Sequence, residues 1–211
     1  MVENPEKASI CGVILAGGRG RRLGNRNKPL MPLGNGCLID QVVSRASPQV
    51  AALCLSVNHN QQDYAYLGLP MIADGNQAYA GPLSGIVSAM GWLTEEVGLA
   101  RESGLLACFP GDVPWFPNDL VERLSQRMRQ ERVDAVLVET DGQLQPLFSL
   151  WRLSVFPLLQ QALEEGLYGP KLVLPRIRHA LLKISTASAG EFLNVNTVDE
   201  LKLAQKLARD G

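Results

Sequence analysis

The sequence predicts an α/β fold in which helices cover a mostly parallel central sheet. Three observations lead there. Short apolar, β-branched runs alternate with longer segments of helical periodicity, the rhythm of β-α-β units. The 211-residue chain is 46% hydrophobic, enough to fill the core of one compact domain. Its glycine-rich and polar positions fall just after the apolar runs, where an open α/β sheet presents its ligands.

In chain order, Ile10 to Ala16 reads as the first strand and Leu38 to Ser47 as a helix. Val50 to Val57 is the next strand, followed by a helical segment over Gln61 to Leu67. Met71 to Asp74 and Leu105 to Pro110 are further strands, separated by a helix over Pro82 to Glu96 with proline at a favoured first-turn position. A helix over Asn118 to Glu131 and a strand over Asp134 to Glu139 complete the regular part. Beyond Asp141 the pattern loosens into an apolar run, Gln145 to Trp151, and a helix over Ser154 to Glu165. Gly169 to His179 fits no element cleanly. Thr197 with Glu200 three residues on forms a capping box that starts a last helix, to Arg209. Only Met1 to Ala8 reads as a loose end, and there is no internal repeat.

The 20 basic and 21 acidic residues nearly cancel, so no global field draws the chain to nucleic acid or an anionic membrane. Cys11, Cys37, Cys54 and Cys108 form no C-x-x-C pair, and neither zinc nor redox chemistry is indicated. Cys11, Cys54 and Cys108 sit in apolar runs and are expected as buried thiols. The first ten residues hold no signal-like segment, and no apolar stretch approaches the roughly 20 residues of a membrane span. The expectation is a cytoplasmic enzyme with neither nucleic-acid nor membrane partners.

Four strand-end positions stand out: Gly17 to Lys28, Asn58 to Asn60, Asp74, and Gly111 to Pro114. The first holds Gly17, Gly18, Gly20 and Gly24 with Arg19, Arg21, Arg22, Arg26 and Lys28, and no acid. Glycines let backbone N–H groups approach phosphate oxygens while the cations neutralise their charge, so the loop suits a polyphosphate. Its G-x-G-x-x-x-G spacing is one residue too long for a dinucleotide fingerprint, and Gly24 is not followed by the Lys-Ser/Thr of a P-loop.

LAGGRGRRLGNRNKPL (Leu15 to Leu30) resembles the L-A-G-G-x-x-x-R-[ML]-G-x-x-x-K-x-L opening of the GT-A-like nucleotidyltransferases. GPLSGI (Gly81 to Ile86), PGDVP (Pro110 to Pro114), QPLFSLW (Gln145 to Trp151) and FLNVNT (Phe192 to Thr197) are similar to the successive motifs of one family, the molybdenum cofactor guanylyltransferases, MobA. The resemblance spans nearly the whole chain. It implies a single Rossmann-like, GT-A-like three-layer sandwich, with a nucleotide-binding part over about residues 9–140 and an acceptor-binding part over about 141–211. It further implies transfer of GMP from GTP to molybdopterin-type molybdenum cofactor, with magnesium, and leaves room for transient contact with cofactor-synthesis or acceptor proteins.

Carried over by position, Leu15, Ala16, Gly17 and Gly18 would line the nucleoside, with Asn58 and Asp74 in the same pocket. Lys28 would contact the phosphates, and Asp112 would hold both GTP and the metal. Arg19 and Arg22 would act as secondary phosphate clamps. Gly81, Pro82, Leu83, Asn194 and Asn196 would face the acceptor. The sequence departs from the family pattern at Asn27, where an acid usually precedes the lysine, and at Gly111, where a cysteine usually precedes the aspartate.

A phosphate nucleophile is already ionised and needs no strong base, so positioning and charge neutralisation should carry the catalysis. Magnesium keeps several waters, and one carboxylate plus triphosphate oxygens suffices to hold it. Asn58 can pair with a purine edge and Asn60 can cap the Gln61 segment. Asn194 and Asn196 either meet the pterin or close the turn before the last helix. His59 and His179, each without a sequence partner, are set aside. A related transferase for another base or acceptor, cytidylyl or sugar-phosphate, and a non-catalytic nucleotide carrier stay open as alternatives.

Overall fold

The computed structural model describes residues 10–17, 27–73, 81–186 and 190–210. Its centre is a seven-stranded sheet. Strands β1 (Ile10–Leu15), β4 (Ala52–Ser56), β5 (Met71–Ile72) and β6 (Leu105–Pro110) form one half, and β7 (Ala135–Thr140), β8 (Gln143–Arg152) and β9 (His179–Ile184) the other. The spatial order is β5-β4-β1-β6-β8-β7-β9. β1 pairs in parallel with both β4 and β6, while β8 runs against β6 and β7. A hairpin of β2 (Pro32–Leu33) and β3 (Gly36–Cys37) stands apart from it.

Two helical layers cover the sheet because its strands are apolar on both faces. One face packs on α1 (Leu38–Ala46) and α3 (Leu120–Glu131) through Ile39, Val42, Leu124 and Met128. The other packs on α2 (Pro82–Glu95), α4 (Phe156–Glu164) and α5 (Pro170–Val173) through Ile86, Met90, Leu159 and Val173. A third, smaller cluster joins α6 (Val198–Asp210) to the hairpin, where Met31, Leu33, Leu38, Val195 and Ala204 meet. The three-layer α/β sandwich is the one the sequence predicts.

Several elements differ in detail. Gln61–Leu67 is a 3-10 helix, and Asn60 before it caps nothing with its side chain; it takes the left-handed backbone instead, with φ 54°. The Gly169 to His179 stretch resolves into α5, a 3-10 turn over Leu174–Arg176 and the approach to β9. Cys11, Cys54 and Cys108 are buried free thiols, as expected, and burial pushes the Cys54 thiol up to about 12.

Candidate active site

The carboxyl ends of β1, β4 and β6 converge at the site, and their backbones are tied together there. Ala16 N–H donates to the Ser56 carbonyl at 2.9 Å, and Gly111 N–H donates to the Leu15 carbonyl at 3.0 Å. Asp112 follows immediately. Its carboxylate lies 3.7 Å from the ammonium of Lys28, whose side chain is only 15% exposed. The same ammonium donates to the side-chain carbonyl of Asn196, a residue 168 positions away.

Lys28 opens a 3-10 turn over Lys28–Leu30, with Pro29 fixing its first turn. Asn196 arrives by a sharper route. Phe192 holds a left-handed φ of 60°, costly for an aromatic residue. Its burial compensates: the ring packs edge-on against Phe148 with centroids 5.0 Å apart, and its N–H donates to Trp115 O at 2.8 Å. Phe148 continues to Phe116 and Phe109 at 5.2 and 5.3 Å, so a row of aromatics fastens the Phe192 turn to the sheet. Val195 N–H then donates to Asp112 O at 3.1 Å, which sets Asn196 beside Lys28.

Burial raises the Asp112 carboxyl above the ordinary aspartate value, and the nearby Lys28 ammonium works against that rise. Among the described residues no three His, Cys, Asp or Glu side chains gather as a metal cage. A divalent ion at Asp112 would therefore draw its other ligands from phosphate oxygens and water, as magnesium commonly does. The donor set fits that ion.

Both departures from the expected motif acquire a physical reason. Asn27 accepts the buried Tyr64 hydroxyl on its side-chain carbonyl at 2.6 Å. Gly111 sits where a Cβ would lie 3.3 Å from the Leu15 carbonyl and from Pro29, tighter than ordinary contact. A side chain there would press by a few tenths of an ångström on the lysine turn.

Leu15 ends β1 at the site, Ala16 follows it, and Gly17 abuts Asn58, whose amide nitrogen would lie 3.4 Å from an added Cβ. Gly81 begins α2 at φ 82°, with a Cβ there falling 2.7 Å from Tyr168 O. Only glycine fits. Pro82 is exposed, whereas Leu83 is fully buried and gives its N–H to Tyr168 O at 3.1 Å. Asn194 is exposed and Asn196 half-buried, so the structure brings only Asn196 to the Lys28–Asp112 pair. Gly18, Arg19, Arg22 and Asp74 lie outside the described residues, as do Arg21 and Arg26.

Two residues that sequence reasoning passed over as site components are Tyr64 and Glu200. Glu200 completes the capping box, with Thr197 N–H donating to it at 2.7 Å, and also takes the N–H of Asn196 at 2.8 Å. Burial works to raise its carboxyl, but these bonds prevail and hold it below the usual range. The Thr197–Glu200 spacing signalled the cap; nothing in the sequence signalled the extra bond.

Residues 12–180 match the MobA-like NTP transferase domain family. The chain is 33% identical over 205 residues to the molybdenum cofactor guanylyltransferase of Mesorhizobium japonicum, covering 95% of this chain and 97% of that protein. It is 36% identical over 198 residues to the enzyme of the same description from Cupriavidus pinatubonensis, covering 92% and 94%. Among solved structures it is similar to a molybdopterin-guanine dinucleotide biosynthesis protein A from Archaeoglobus fulgidus, with TM-score 0.73, 22% identity and coverage of 96% and 100%. It is also similar to Rv0371c from Mycobacterium tuberculosis in complex with manganese, with TM-score 0.68, 16% identity and coverage of 94% and 98%.

Proposed function

The chain belongs to the MobA-like NTP transferase family, and from that premise we propose that it transfers GMP from GTP to a molybdopterin-type molybdenum cofactor. The observation that carries the proposal is the Lys28–Asp112 pair at the sheet's carboxyl edge, 3.7 Å apart and closed in by Asn196. A cation and a carboxylate so placed suit a magnesium triphosphate: one meets phosphate oxygens, the other the metal.

In the reaction, a terminal phosphate oxygen of the pterin attacks the α-phosphorus of GTP. A new P–O bond forms, the bond to the β-phosphate breaks, and pyrophosphate leaves with the electron pair. Magnesium at Asp112 would supply charge neutralisation for the triphosphate. Lys28 would hold its ammonium against the phosphates, a point charge that needs no fixed fork geometry. Leu15, Ala16, Gly17 and Asn58 would receive the nucleoside, with Gly18, Arg19, Arg22 and Asp74 completing its phosphate and base contacts. Gly81, Pro82 and Asn194 would border the acceptor, with Leu83, fully buried, packing behind them rather than meeting it.

We read the chain as one catalytic unit, nucleotide-binding over about 9–140 and acceptor-binding over about 141–211, with Asn196 reaching across that division to Lys28. No described helix is long and apolar enough to cross a membrane. A cytoplasmic location belongs to the same proposal. GTP with magnesium should protect the protein against thermal unfolding more than CTP, ATP or UTP, since a ligand that binds only the folded state stabilises it. Stronger protection by CTP or UTP would overturn the guanylyl assignment.

A further inference from the structure

We propose that Glu200, in the first turn of α6, is a positioning residue for the transfer reaction: it fixes Asn196, and Asn196 fixes the Lys28 ammonium beside Asp112. This rests on the functional reading above and extends it to a helix that touches no substrate in that reading.

An N-terminal capping box requires one bond from the acid back to the cap residue's N–H. Glu200 makes that bond to Thr197 at 2.7 Å, but the same oxygen also accepts the N–H of Asn196 at 2.8 Å and the Thr197 hydroxyl at 3.0 Å. The Asn196 bond lies one residue outside the box and serves no orphan amide of the helix. Its effect is on the loop. Asn196 is held from one side by Glu200 and from the other by Val195 N–H on Asp112 O, at 3.1 Å.

A lysine has four side-chain torsions to restrain. Asn196 restrains them with a neutral carbonyl, which accepts from the ammonium without cancelling the charge that the phosphates need. A carboxylate at that position would compete with the nucleotide. The chain Glu200, Asn196, Lys28 and Asp112 thus ties the last helix to the reacting end of the sheet, 168 residues apart in sequence from Lys28 to Asn196.

The test uses the full chain and four variants: Glu200→Ala, Glu200→Gln, Thr197→Ala and Asn196→Ala. Glu200→Ala should lower kcat on the order of tenfold while KM for GTP moves less than about twofold, the signature of misplacement rather than lost binding. Glu200→Gln keeps an acceptor and should restore most of the rate. Thr197→Ala removes the cap hydroxyl but keeps the Glu200–Asn196 bond. It should lose helix stability comparable to Glu200→Ala, with kcat within about twofold of the parent.

A second readout needs no turnover. Acetylation of Lys28 by acetic anhydride, followed by mass spectrometry of its peptide, should speed up in Glu200→Ala and Asn196→Ala and stay unchanged in Thr197→Ala. Unchanged kcat and Lys28 reactivity in Glu200→Ala, or equal effects in Thr197→Ala, would overturn the proposal and leave Glu200 as a helix cap. Inactivity of the parent protein with GTP would instead count against the guanylyl-transfer reading, and the acetylation arm would still decide the role of Glu200.

Discussion

Tyr64 donates its hydroxyl to Asn27 at 2.6 Å, which anchors the residue directly before Lys28 to a 3-10 helix on the neighbouring strand connection. The asparagine that breaks the family pattern is therefore a structural acceptor. Burial is the main reason that the Tyr64 hydroxyl is pushed up to about 12, so it remains a donor across the working pH range.

An aspartate at position 27 would accept the same bond. Asn27→Asp should leave kcat within a few fold of the parent, whereas Tyr64→Phe orphans the amide and should cost about 1 kcal/mol in urea unfolding. An Asn27→Asp variant with several hundred times the parent's rate would show that the asparagine had impaired the chemistry.

Lys28→Ala leaves the Asp112 carboxylate partly buried without its cation, 3.7 Å from where the ammonium stood. Turnover should fall by about 10²-fold or more, on the scale of removing one preorganised electrostatic group. Steady-state kinetics with GTP and magnesium check it. A rise in KM alone, with kcat intact, would make Lys28 a binding group only.

Gly81→Ala forces a Cβ onto a residue at φ 82° and to within 2.7 Å of Tyr168 O. Backbone is on the other side of that contact, so no side chain can swing away. The variant should lose about 1–3 kcal/mol of stability, read from its urea midpoint. An unchanged midpoint would mean the start of α2 tolerates a shift.

Acid stability has a defined contributor in Asp134, whose carboxyl is held below its usual range by hydrogen bonds from Arg178 at 2.8 and 3.1 Å. A depressed folded-state value contributes stability in full above the unfolded value of about 3.9 and loses it as pH falls through the folded value. Asp134→Asn should therefore flatten the acid limb of the stability curve below about pH 4. The loss at neutral pH should be small, because the Arg178 side chain is 71% exposed. Parallel acid limbs in parent and variant would remove Asp134 from the account.

The sequence exposed those parts of the molecule whose physics is local. β1 and β6 are short apolar runs ending in polar turns, so both strands were legible, and the structure sets Lys28 beside the Asp112 that follows β6. Thr197 and Glu200 lie three residues apart and announced the start of α6. β9 was missed because it is an edge strand, half-exposed over Ala180 to Leu182, with no clean alternation. The β2–β3 hairpin has only two residues per strand, too few for a periodicity. The sequence leaves Asn196 either facing the acceptor or closing the turn before the last helix, and its bond to Lys28 joins segments that no local pattern connects. Asn60 showed the opposite limit, since a residue type suited to capping spends that freedom on a left-handed turn.

On the proposed reading, Asp112 holds the metal of a GTP whose α-phosphate is transferred. GTP labelled at the α-phosphorus, supplied with magnesium and molybdopterin, should pass its label to the pterin with one pyrophosphate released per transfer. Asp112→Asn, folded to the same thermal transition, should lose that transfer by about 10²-fold or more. Transfer at the parent rate by Asp112→Asn would show that Asp112 holds no metal the reaction needs.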